Sequence, residues 1–325
     1  MFAARLRFVC AAVALAVVAA VAGVSTAQSG AGAADDPTYV EWMALLPGLT
    51  DGYDPSSSNV CVAGKVACID AAAREMQRRY EPLADSCSHQ ALFALTYLRV
   101  TQSYAWSARQ PGYYDNPGWT NHAVAVFAKY YLNAFDAWNA DPNSAAVPRS
   151  WKIAFDAARD RAVAGGGNFF LGLNAHINRD LAFAMEAAGL TTPDGRSAKP
   201  NFDRINQLLN SVTNPLVAEL SARLDDSMDD TSLPFYVDAV ATGNVMFGWR
   251  EQAWRNAELL DSALTLLIRS TVAAEIEANS IAQATMHRTA FSYLTPAQPE
   301  SRDAFCAAHH DDPAPTAYPF GTPTS

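Results

Sequence analysis

From Ser86 to Tyr293 apolar residues recur at three- and four-residue spacing, and no alternating polar–apolar run persists long enough to make a strand. The pattern predicts an all-α protein, with breakers that divide it cleanly. A short helix over Asp35–Leu46 opens on Asp36-Pro37, and Pro47–Gly64 reads as a loop. Asp70–Tyr80 is helical, and Ser86 or Ser88 caps a helix running to Trp106. Gln110–Trp119 is a turn region, Thr120 caps a helix to Trp138, and Asp141-Pro142-Asn143 ends it. Pro148–Val163 is the next helix, stopped by Gly165-Gly166-Gly167. Asn168–Ala188 follows and closes at Gly189; Thr191–Pro200 is a loop. Asn201 or Asp203 opens a helix to Leu224, and the acidic stretch Asp225–Asp230 separates it from helical sequence between Pro234 and Leu260, kinked at Gly243 and Gly248. Ser262–Tyr293 is the last helix, and a Pro-rich tail runs from Thr295. The connections are short, so residues 28–294 read as one multi-helix domain, followed by a tail over 295–325.

One helix differs from the rest. At 100° per residue Asn168–Ala188 places Phe169, Leu173, His176, Asp180, Phe183, Ala184 and Ala187 on one side. Phe170, Leu171, Leu181, Ala182 and Met185 occupy much of the other, and only Arg179 and Glu186 mark a solvent strip. A helix apolar nearly all round belongs in the middle of a domain. Asn174, His176, Asn178 and Asp180 are therefore expected to be buried or to line a cavity, where each needs a partner.

The first residues set the compartment. Arg5 and Arg7 precede an uncharged apolar run from Phe8 to Val24, and Ser25-Thr26-Ala27 supplies small residues for cleavage. Residues 1–27 read as a signal peptide, with export to the cell envelope or beyond and no membrane-spanning segment after cleavage. That leader holds two of the 23 basic residues and none of the 33 acidic ones, so its removal takes the net charge from −10 to −12. Such a balance argues against nucleic acid as a partner. Cys10 leaves with the leader, and the remaining four, Cys61, Cys68, Cys87 and Cys306, suit two disulfides. Cys61 and Cys68 bracket a short Gly-containing loop that closes easily, leaving Cys87 for Cys306.

His176 and Asp180 at i, i+4 stand one above the other. They are candidate ligands for one divalent metal ion such as zinc, or a base with its orienting carboxylate. The same pair equally suits a satisfied polar contact between helices, with Asn174 and Asn178 alongside. His89 and His122, each near a helix start in aromatic surroundings, are further metal candidates. His287, near the end of the last helix, reads as solvated or as a partner of the helix dipole. Arg250 and Trp254 share a face and could hold an anionic or aromatic ligand, or simply pack helices together. No Gly-x-Ser-x-Gly elbow, phosphate-binding loop, His-Glu-x-x-His or Ser-x-x-Lys motif is present.

Asn168-Phe169-Phe170-Leu171-Gly172-Leu173-Asn174-Ala175-His176-Ile177-Asn178-Arg179-Asp180-Leu181 resembles the hallmark of an uncharacterised actinobacterial exported helical family, a domain of unknown function. Leu95-Thr96-Tyr97, Phe127–Tyr131, Lys199–Asn206 and Trp249–Trp254 extend the likeness over most of the chain, and it implies no activity. His176-x-x-x-Asp180 with Gly172 upstream is also similar to the zinc-dependent phospholipase C and P1-type nuclease group, which implies a metal-dependent hydrolase. That group carries a Pro and a second His soon after the Asp, where this chain has Ala182-Phe183-Ala184-Met185. Its mature chain begins with a metal-binding Trp, where Gln28 would stand here, so at most one metal would remain. Two readings stand at this level: a hydrolase centred on His176 and Asp180, and a non-catalytic extracellular or envelope protein with a buried polar network. The leader assignment has a direct check: intact mass of secreted protein should correspond to a chain beginning at or near Gln28. Retention of Met1–Ala27 would overturn it.

Overall fold

Helix starts lie where backbone N–H groups find acceptors. The computed structural model describes residues 46–229 and 239–316, and among these the regular structure is helical throughout, with only two isolated β-bridges. The residues assigned to the signal peptide, to the Asp35–Leu46 helix up to residue 45, and to the helix start at Pro234 lie outside the described ones. In order come α1 (Val66–Asp85), α2 (Ala91–Ser107), α3 (Pro117–Ala140) and α4 (Arg149–Arg159). Then follow α5 (Gly165–Leu173), a π-helical segment (Asn174–Asp180) and α6 (Leu181–Ala188), which continue one another. α7 (Lys199–Arg223), a 3₁₀ turn (Asp226–Met228), α8 (Ala239–Asp261), α9 (Leu266–Ala290) and α10 (Ala297–His309) complete the chain. α3 is capped four residues before the expected Thr120: Asn116 Oδ1 accepts the Trp119 amide at 2.9 Å, and Pro117 takes the first helical position.

The central buried helix expected over Asn168–Ala188 is the α5–π–α6 continuum, touched by α2, α3, α4, α8 and α9. Two features of it differ from the sequence reading. The Gly165-Gly166-Gly167 run does not stop a helix; it starts one. The Gly165 amide donates to Asp225 Oδ2 at 2.8 Å, and the other oxygen of that carboxylate takes the Ser227 amide at 3.0 Å. One buried aspartate thus caps two helical segments. A Cβ at Gly165 would lie 2.5 Å from that oxygen, which explains a glycine there. The second difference is the π winding over Asn174–Asp180, for which an α-helical period was expected.

Gly172, one turn earlier, has the side chain of Phe93 seated on its backbone: an added Cβ would fall 2.2 Å from the ring. This close approach lets α2 lie against the centre of the molecule. α9 lies further out. Only Ile276, Ser280 and Ala284 are buried along it, while Leu266, Leu267 and Ile268 are exposed.

Both disulfides have the expected pairing, Cys61–Cys68 and Cys87–Cys306, with Cα–Cα distances of 5.1 and 5.8 Å. The Pro-rich tail holds α10, an element the prolines concealed; Cys306 in it is fully buried, and Arg302 donates to the Cys87 carbonyl. α10 is therefore part of the folded body. Cys87–Cys306 spans 219 residues, so reducing it or replacing both cysteines by Ser should cost about 2–5 kcal/mol in denaturant unfolding. Loss of Cys61–Cys68, which spans 7, should cost less. Equal stabilities with and without reductant would refute this ordering.

Candidate functional site

The π segment carries Asn174, His176, Asn178 and Asp180 into the core. Asn174 Nδ2 donates to the Ser280 carbonyl at 2.8 Å, Asn178 Nδ2 donates to Asn174 Oδ1 at 3.0 Å, and Asn279 donates to Asn178 at 3.3 Å. These two asparagines, the sequence's ligand candidates, instead tie the central helix to α9. Asp180, fully buried, accepts from Trp151 Nε1 at 2.7 Å and from Arg179. His176 Nδ1 lies 3.5 Å from the same carboxylate, the outer limit of a hydrogen bond.

The His176 ring sits among aromatic side chains. Phe127 stacks on it at 3.6 Å with the planes 6° apart, and Tyr97 meets it edge-on at 4.3 Å. Trp151, Phe93 and Tyr131 stand at 5.9, 6.0 and 6.2 Å. Burial pushes the imidazole pKa down against the pull of Asp180, so the ring is neutral at pH 7. With the proton on Nδ1 toward Asp180, Nε2 is an acceptor, and among the described residues no group reaches it.

His176 lies on the wall of a cavity of about 100 Å³ bordered by α2, α3, the central helix, α7 and α8. A water needs roughly 10–15 Å³ of such space, so the void is several waters large. Its lining is almost wholly apolar: Phe93, Phe127, Phe169, Leu208, Val212 and Met246 are among the contributors. Four buried polar atoms on that wall make no hydrogen bond among the described residues: His176 Nε2, Tyr97 Oη, Thr101 Oγ1 and Thr242 Oγ1. The sequence singled out only His176 of these. Tyr97 fell within a stretch shared with the resembled family, but nothing local marked the two threonines.

The other candidates are spread through the fold. His122 has both ring nitrogens against backbone, at 3.1 Å from the Cys61 carbonyl and 2.9 Å from that of Asp51. His89 faces Asp303 at 3.1 Å and Asn168 at 3.4 Å. Neither joins His176 and Asp180 in a metal-ligating group. Among the described residues the one cluster of three ligating side chains is Asp85, His310 and Asp311, at the surface. His287, expected to be solvated, is half-buried and stacks on Phe170 at 5.5 Å, because α9 turns it inward. Arg250 and Trp254 meet at Phe202: the guanidinium lies 4.1 Å over its ring and the indole 5.1 Å away. Arg250 also lines the cavity, whereas Trp254 donates to Glu258 at 2.9 Å.

The buried histidines dictate a response to acid. His89 is pushed down to about 4 by burial and by Arg302, which together outweigh Asp303; that carboxylate is shared with Arg302 and Arg161. Unfolded, the same ring titrates near 6.5. Its contribution is fully present above about 6.5 and is lost as pH falls toward 4, where the unfolded chain binds a proton that the folded one refuses. The loss from His89 alone is about 3 kcal/mol, and His122 and His176, also lowered by burial, act in the same direction. Urea unfolding between pH 7 and 4.5 should show this decline, shallower in His89→Gln; a flat profile would contradict it.

Comparison with known proteins adds one relation. No curated protein and no solved structure matches the chain, and nothing connects it with phospholipases C or nucleases. Residues 69–290, from the start of α1 to the end of α9, match a family of unknown function (DUF5995), and they contain the whole cavity wall, the π segment and Cys87. The chain belongs to that family.

Proposed function

We propose that this is an exported protein that binds a small, largely apolar molecule in the cavity beside His176. The observation that carries the reading is the bare Nε2 of His176, a buried acceptor aimed at an apolar void. Leaving such a group unpaired costs about 1–3 kcal/mol, and Tyr97, Thr101 and Thr242 repeat the cost on the same wall. A purely structural polar network accounts for Asn174 and Asn178, which are paired, but not for these four atoms. An apolar wall with a few convergent polar groups is the usual make-up of a small-molecule site. Export is supported by the leader-like residues 1–27 and by the two disulfides, and none of the described helices is long and apolar enough to cross a membrane.

A second reading keeps the hydrolase. The Asp180 carboxylate behind Nδ1 and the open Nε2 in front are the parts of a general base, able to activate water toward a bound ester. A metal-bound water is less well served, since His89 and His122 are occupied elsewhere.

Purified protein should enhance the fluorescence of N-phenyl-1-naphthylamine, a neutral apolar probe, and bind it about stoichiometrically. Ala123→Phe, which fills the void from α3, should abolish binding. Thr101→Val, which removes an unpaired hydroxyl, should raise the stability of the empty protein by about 1 kcal/mol. Absence of probe binding in a folded wild type would reject the reading. Turnover of a nitrophenyl ester that is insensitive to chelator and lost in His176→Gln would promote the hydrolase.

A further inference from the structure

Arg250 is an anomaly. It is 4% exposed, and among the described residues it forms no ion pair. Its Nε donates to Asn206 Oδ1 and one terminal nitrogen to the Phe202 carbonyl, both at 2.6 Å. Both acceptors are neutral, and Nη1 makes no hydrogen bond among the described residues. The carboxylate that most favours its charge, Asp203, is not within ion-pair distance and is bound instead by Lys199 at 2.6 Å. Burial pushes the Arg250 pKa down to about 10, so it remains a cation at pH 7. A buried cation whose nearest favourable carboxylate lies beyond ion-pair distance is costly to hold. The other buried arginines do not share it: Arg79 has Glu75 and Asp136, and Arg302 has Asp303.

The cavity places this charge at one end of an apolar channel. Phe93, Tyr97, Thr101 and Tyr104 line the void from a single face of α2. Phe93 and Tyr97 stand beside His176, while Tyr104 lies 5.5 Å from Tyr114, whose neighbourhood includes Arg250. Eleven residues of α-helix separate Phe93 from Tyr104, which is about 16 Å. A cation near Tyr104 and a neutral imidazole near Phe93 thus line one mostly apolar cavity, with the Thr101 hydroxyl on the wall between.

Resting on the cavity-binding reading above, we infer that the ligand is an amphipathic anion: a medium-chain carboxylate with its headgroup on Arg250 and its apolar body along α2 toward His176. A carboxylate is the group that a guanidinium fork holds in two hydrogen bonds, and it would give Arg250 the ion pair it lacks among the described residues.

The test displaces N-phenyl-1-naphthylamine from the full mature chain with decanoate, decanol, methyl decanoate and decyltrimethylammonium. Decanoate should compete at about a tenfold to hundredfold lower concentration than decanol, the ratio expected of a charge-assisted pair. The cation should compete worst. Arg250→Gln should bring decanoate down to decanol while leaving decanol unchanged, and Arg250→Lys should keep part of the preference. The wild-type comparison alone decides the matter if Arg250→Gln does not fold. Equal competition by decanoate and decanol in wild type, or a preference for the cation, overturns the inference and leaves the cavity reading in place. Failure of the wild type to bind the probe or any of the four compounds overturns both.

Discussion

The central helix must bury polar side chains without stranding them, and the arrangement around it follows from that demand. Asp180 is a carboxylate with almost no exposed surface, tolerable only because Trp151 and Arg179 both donate to it. Trp151 comes from α4 and Arg179 reaches on to Glu277 of α9, so one aspartate draws two outer helices onto the core. Asn174 and Asn178 complete the join to α9 through Ser280 and Asn279. The segment that makes these contacts is π-wound, a form often found at functional sites.

Unpaired buried polar atoms occur elsewhere in the fold, at Tyr80, Ser103 and Ser150 for example, but among the described residues four of them converge on the one cavity wall. Four hydroxyl or ring atoms and one guanidinium face a void whose other walls are hydrocarbon. Interiors normally pack without such voids and pair such groups. The proposed ligand site rests on this convergence, with the open acceptor of His176 at its centre. Rigid walls on α2 and the central helix, fixed by the contact of Phe93 on Gly172, suit a preformed site.

The last described helix is tied to the start of α2 by covalent and ionic links near one another. Cys306 is joined to Cys87, Arg302 donates to the Cys87 carbonyl, and Asp303 faces His89. The start of α2, which carries the cavity-lining face, is thus anchored by the last helix of the described chain. Acid sensitivity at His89 and oxidation of Cys87–Cys306 therefore both bear on the element that forms the site's wall.

The helical period, the breakers and the apolar circumference of Asn168–Ala188 determined the fold class and the burial of His176 and Asp180, because periodicity and turn chemistry are local properties. Parity and loop closure likewise led to the two disulfides found. Other features depend on residues far apart in sequence. Gly165-Gly166-Gly167 starts a helix because Asp225, sixty residues on, supplies the cap. α10 is held in place by Cys87, and the π winding is compatible with a core whose partners come from α4 and α9. The cavity is the extreme case: a void belongs to no residue, so Thr101, Thr242 and Arg250 acquire a common meaning only when α2 and α8 are brought to face one space. A local pattern states which side chains are buried; only tertiary packing decides which of them are left without a partner.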